Sequence, residues 1–153
     1  MASFVYNKAV AEIASGVIDL DTNTLKVMLV NGTYTPNRDD DVVDTGGGAD
    51  AESAEIGATN YARGWGGAGR KTVTASVAEQ DANDRAIMII ADLTWNTLGG
   101  AANDTIVGAI LIKEGGADDT TSRLICYWDL TDTLTSGIDF TLEDVVRVAD
   151  GRL

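Results

Sequence analysis

Apolar side chains recur every fourth position near the start of the chain and every second position through most of the rest. Val5, Ala9 and Ile13 share one face at i+4 spacing. This predicts an amphipathic helix over residues 4–15, with Ser3 placed to cap its start and Gly16 to end it. Beyond Asp19-Leu20-Asp21 the period changes to two. Leu25, Val27 and Leu29 alternate with Lys26, Met28 and Val30, which is the pattern of a strand. Residues 31–58 hold Pro36, Asp39-Asp40-Asp41 and Gly46-Gly47-Gly48, with few large apolar side chains. They predict a long acidic loop excursion with at most one short edge strand, near Val42-Val43.

Strand signals then repeat. Tyr61 to Arg63 is a candidate short strand. Residues 70–78 place Val73, Ala75 and Val77 on one face, with Thr72, Thr74 and Ser76 on the other. Asp81-Ala82-Asn83-Asp84 carries turn chemistry. Ala86 to Ala91 is nearly unbroken apolar sequence, which predicts a strand covered on both faces. A polar break runs from Asn96 to Asn103. Ile106 to Ile112 reads as another buried strand, in which Gly108 marks a bulge or a close approach. Glu114 to Thr121 is a turn rich in Gly and Asp. Leu124, Cys126, Trp128 and Leu130 alternate with Ile125, Tyr127 and Asp129. Ile138, Phe140 and Leu142 alternate again, and Val145 to Val148 are placed to end the sheet. Seven or eight short strands separated by turns predict a single, mainly β domain over residues 1–153. The expected form is a β-sandwich, jelly roll or barrel with one short N-terminal helix. Strands do not alternate with long helices, which disfavours a nucleotide-binding α/β sheet.

Composition narrows the chemistry. The 153 residues fit one domain, and 24 acids against 11 bases give a formal net charge of −13. Asp outnumbers Glu by 18 to 6, a bias toward turns and away from helix interiors. There is no histidine and one cysteine, Cys126. Serine or cysteine catalysis with a histidine base is therefore excluded, as are an intramolecular disulfide and zinc sites built from His and Cys. The charge opposes binding to a phosphate backbone. No run approaches the roughly 20 apolar residues of a membrane helix, and the opening residues lack the apolar region of a signal peptide. Asn31-Gly32-Thr33 and Asn103-Asp104-Thr105 match the glycosylation pattern and read here as turn chemistry.

Several motifs tempt a sharper assignment. Gly64-Trp65-Gly66-Gly67-Ala68-Gly69 matches G-x-G-x-x-G, but strand alternation follows it where a dinucleotide site needs a helix. Arg70 also shifts Lys71-Thr72 out of the register of a P-loop. A large aromatic flanked by glycines, with Arg63 and Arg70 close by, has instead the composition of an interface anchor. Asp19, Asp21 and Asn23 imitate the start of a calcium loop. Thr24 then occupies the glycine position and Val30 the bidentate glutamate position, so the pattern fails. Asp39-Asp40-Asp41 and Asp118-Asp119 read as solvated acidic turns. A carboxylate pair could hydrolyse glycosides without histidine, but Trp95 and Trp128 sit in strand patterns and read as core. Cys126 shares a face with Trp128 and reads as a small buried hydrophobe. No enzyme activity, cofactor or metal is expected.

Three stretches together resemble a family of small tailed-bacteriophage virion proteins. They are FVYNKAVAEIASGVIDLDTNTLKVMLVNGTYTPNRDDDVVD (4–44), YARGWGGAGRKTVTASV (61–77) with ADLTW (91–95), and VGAILIKEGGADDTTSRLICYWDL (107–130). Their order and spacing are more specific than any one motif, and they cover most of the chain. The resemblance implies a structural virion protein, most like a capsid cement (decoration) protein of jelly-roll type. Such a protein is made in the host cytoplasm and sits on the outer capsid surface. Its implied partners are the major capsid protein and other copies of itself, as a dimer or trimer, with no nucleic acid and no membrane. Gly64–Gly69 and the acidic stretch 37–58 depart from the family pattern. Phe4, Tyr6, Arg63, Trp65 and Arg70 are the interface candidates, as aromatic and basic side chains in segments that look peripheral to the core. Other phage parts (a head fibre base, a tail or a head–tail component) and a virion-attached carbohydrate-binding β-sandwich are the alternatives.

Overall fold

The computed structural model describes residues 2–48, 50–81 and 85–143; the expected strand at Val145 to Val148 lies outside them. The elements in chain order are β1 (Phe4–Val5), α1 (Asn7–Ala14), β2 (Leu25–Val30), β3 (Lys71–Val73), β4 (Ala75–Gln80) and β5 (Arg85–Ile90). They continue with β6 (Leu93–Leu98), β7 (Thr105–Lys113), β8 (Arg123–Leu134) and β9 (Ile138–Leu142). Every pairing is antiparallel. A five-stranded sheet has the order β1-β8-β7-β2-β3, and β4-β5 and β6-β9 form two-stranded ladders. The chain is thus mainly β with one short helix, and nine strands are seen among the described residues.

The central strands are covered on both faces. Val27 to Val30 of β2, Ala109 to Ile112 of β7 and Leu124 to Tyr127 of β8 are all buried. Such strands read as nearly continuous apolar runs rather than strict alternation. Gly108 is the close approach its sequence marked: a Cβ there would lie 2.4 Å from Cε2 of Tyr127.

The N-terminus departs from the sequence expectation. Phe4 and Val5 are not helical but pair with Tyr127 and Cys126 of β8. The Phe4 ring packs 5.0 Å from that of Tyr6 and 5.7 Å from that of Tyr127. Tyr6 is extended and stands at the start of α1 without a side-chain cap. Ser3 is not the cap, because its Oγ accepts from the Asp129 N–H. The helix ends as expected, with Gly16 at φ 74°.

Four further expectations are corrected. The stretch 70–78 is not one strand: β3 and β4 join different sheets, and Val73 is buried while Val77 is 51% exposed. Tyr61 to Arg63 form a loop. The polar break at Asn96 comes too early, since β6 runs to Leu98 across a bulge in which Thr97 takes φ 47°. Its polar residues point outward while Leu93, Trp95 and Leu98 are buried. In β5, Ile87, Met88 and Ile90 are buried but Ile89 is 41% exposed, so the cover on both faces is incomplete. The excursion 31–58 packs onto the core through Tyr34, Val43, Ala51, Ala54 and Ile56. Val42 bridges to Arg123, and Glu55 bridges to Val30 beyond the end of β3.

Candidate interaction site

The glycine-rich segment 64–69 leads into β3, and Arg70 closes it. The Arg70 side chain points inward and is buried. Its Nη1 and Nη2 donate to the two carboxylate oxygens of Asp119 at 2.7 and 2.8 Å. Its Nε and Nη2 donate to Glu55 at 3.0 and 2.7 Å. The planar fork of a guanidinium matches two carboxylates in this way, whereas an ammonium does not. Burial alone would lower the Arg70 pKa, but the hydrogen bonds it donates to Asp119 and Glu55, with their charges, outweigh it and raise it.

Glu55 ties further groups together. It accepts from the Tyr61 hydroxyl at 2.9 Å and from the Gly64 N–H at 2.8 Å. The Tyr61 oxygen in turn accepts from the Leu29 N–H at 3.1 Å, so the cluster reaches β2. Burial, and then the Glu55 charge, push the Tyr61 hydroxyl well above its ordinary pKa. Through these bonds the cluster ties Arg70, the start of the glycine-rich loop and β2 together.

The same network fixes the loop. Gly66 N–H donates to Glu114, which pairs with Lys26 at 2.5 Å. Gly67 N–H donates to the Gly64 carbonyl and Gly69 N–H to that of Ala62, at 2.9 and 2.8 Å. The Trp95 indole donates to the Gly69 carbonyl at 2.6 Å. Gly64 and Gly66 take φ of 89° and 71°, a left-handed backbone that side-chain-bearing residues resist. The glycines therefore serve a fixed turn rather than a loose one.

Trp65 stands on this platform and is 45% exposed. Its Nε1 donates to the Gly115 carbonyl at 2.9 Å. With the polar edge satisfied inside the chain, the ring surface left outside is apolar. Arg63 is also exposed. Its charge bears on Asp104, where burial pushes the carboxyl up but hydrogen bonds from Asn31, Gly57 and Thr105, with Arg63, bring it below the usual range.

The candidate residues therefore separate. Trp65 and Arg63 share an exposed loop, Phe4 is half-buried against the core, and Tyr6 and Arg70 are buried. Tyr6 meets the hydroxyl of Tyr34 at 2.6 Å in the interior. Burial removes Tyr6 and Arg70 as surfaces for a partner; they hold the fold. Trp95 is buried and Trp128 half-buried. Cys126 is buried, and that burial pushes its thiol pKa up. Asp19 and Asp118 use their carboxylates on their own turns, at Asp21 and Thr120. Among the described residues, no group of three His, Cys, Asp or Glu converges as a metal site, and no helix is long and apolar enough to cross a membrane. Asp119 is not the solvated turn residue its sequence suggested but is buried on Arg70, and Glu55 and Glu114 carry no motif by which sequence could single them out among 24 acids. The chain matches no family model, no curated protein and no solved structure.

Proposed function

We propose that this chain is a non-enzymatic structural virion protein, a cement protein that binds the outer surface of a phage capsid and braces joints between major capsid subunits. The three stretches of family resemblance support this reading, and the jelly-roll form and self-association belong to the same proposal. The observation that carries it is the Trp65 loop. An indole with a free apolar face stands on a backbone already fixed by Glu55, Glu114 and its own turns. Such a loop loses little conformational freedom on binding, and preorganisation of that kind improves affinity. A shell lattice then multiplies each modest contact.

Imaging particles with and without the protein tests the reading. Density spread over the icosahedral shell supports a cement. Density confined to a vertex or to the tail assigns the chain to another structural part and sinks the proposal. A carbohydrate-binding role would need an exposed aromatic pair, and the burial of Trp95 leaves that platform without one of its two candidates.

A further inference from the structure

The β4–β5 ladder is held from one side. β5 reaches the core through Met88 and Ile90, whereas Ser76, Val77, Ala78 and Glu79 of β4 are all exposed. β4 pairs with β5 from Ala75↔Ile90 to Gln80↔Arg85 without a register shift, and among the described residues it pairs with no other strand. Such an edge presents a row of unused N–H and C=O groups, which proteins blunt by shortening the strand or by bulges, lysine or proline. Other strands of this chain show those devices. β1 and β3, at the edges of the five-stranded sheet, are two and three residues long, and the β6–β9 ladder is interrupted by a bulge. β4 has six residues, ASVAEQ, with neither lysine nor proline and with Glu79 as its one charge.

The side chains of β4 suit a second copy of the same strand. Hydrogen-bonded and non-hydrogen-bonded pairs alternate along an antiparallel ladder. A two-fold axis between two identical strands must therefore pass through a residue and its own equivalent. Centred on Glu79, the pairing would set two carboxylates face to face, which is unfavourable. Centred on Ala78, it would set Val77 against Glu79. Centred on Ala75 or Ser76, it would use only the first part of the strand. Centred on Val77, it sets Val77 on its equivalent, Ser76 on Ala78 and Ala75 on Glu79, with no like charges opposed. Val77 stands opposite Met88 in β5, so the joined sheet would carry an apolar row of Met88, Val77, Val77 and Met88. The edge also begins within residues 56–78, which contain no acidic side chain. That lessens the repulsion between two chains of formal charge −13.

We propose that the free edge of β4, centred on Val77, joins two copies of this chain through an antiparallel strand pair, which closes as a two-fold dimer. This rests on the self-association in the cement reading and names the surface that performs it.

The test is sedimentation of the purified full chain over a concentration series, with V77E, V77I, V77C and E79C checked by matched thermal melts. Wild type and V77I should dimerise. V77E sets two carboxylates on the axis and should weaken the dimer at least about tenfold. Under mild oxidation V77C should cross-link, because directly opposed residues lie within disulfide reach. E79C should not, since its two copies would stand about 13 Å apart. Cys126 is buried and does not compete. A wild-type chain that stays monomeric, an oligomer that V77E leaves intact, or a dimer that E79C cross-links and V77C does not would each overturn the proposal. A monomer that still decorates particles overturns this edge alone. A dimer through Val77 that binds no particle overturns the cement reading and leaves the edge standing.

Discussion

Arg70 carries one positive charge into the interior, where Glu55 and Asp119 meet it with two negative ones. A buried pair of this kind adds little net stability over an apolar replacement, but removing one partner strands the other. R70M should therefore lose about 3–5 kcal/mol, read from urea unfolding, because both carboxylates stay behind without their cation. R70K keeps the charge and gives up the fork, so its loss should be smaller, about 1–3 kcal/mol. A loss under about 1 kcal/mol in R70M would mean that the carboxylates find water or protons at little cost. Asp104 makes a separate prediction through pH. Its folded pKa is lowered, so its contribution is present above the unfolded value of about 3.9 and is lost as pH falls through the lower folded value. The stability gap between wild type and D104N should be constant above about pH 5 and shrink below about pH 4. A gap that widens on acidification would contradict this assignment.

At the scale of elements, the β7–β8 ladder depends on one missing side chain. Gly108 stands opposite Asp129 between register shifts, and its open side is filled by the Tyr127 ring. The Tyr127 ring also packs near those of Phe4 and Tyr34, at 5.7 and 6.0 Å. G108A should cost about 1–3 kcal/mol through overpacking. The near-ultraviolet circular dichroism of the aromatic cluster should change along with the urea midpoint. An unchanged aromatic signal would show that the ladder yields without moving Tyr127. β7 was legible because burial on both faces leaves a long apolar run, and β2 and β8 because their side chains alternate with a period of two. The pairing of Phe4 and Val5 with β8 was not, because the i+4 recurrence with Ala9 and Ile13 outweighs a two-residue strand whose partners lie more than a hundred positions away. β6 was cut short because its outward Asn96 and Thr97 look like a loop until β9 supplies the ladder. Trp65 was legible as exposed from its flanking glycines. Arg63 and Arg70 look alike in sequence and differ in burial only because Glu55 and Asp119 converge on one of them, from 15 and 49 positions away.

At the scale of the whole molecule, the acidic surplus acts on stability. A formal charge of −13 on 16.0 kDa is self-repelling, and folding concentrates it. The acids are also uneven: Asp39, Asp40, Asp41, Asp44 and Asp50 fall within one packed excursion. There burial, with Asp39 and Asp41 adding to it, pushes the Asp40 carboxyl above its ordinary value. Raising sodium chloride from 10 mM to 0.15 M shortens the Debye length from about 30 to about 8 Å, which relieves repulsion between surface carboxylates. If that relief is worth about 1 kcal/mol, the thermal midpoint should rise by about 2–4 °C. The Arg70 cluster is shielded from solvent ions, so the deficit of R70K against wild type should be the same at both salt concentrations. Two melts at two salts therefore separate the contributions. A midpoint that falls with salt would show that attractive surface pairs outweigh the repulsion. An R70K deficit that shrinks with salt would show that ions reach the network, and the Trp65 platform would then be softer than its hydrogen bonds imply.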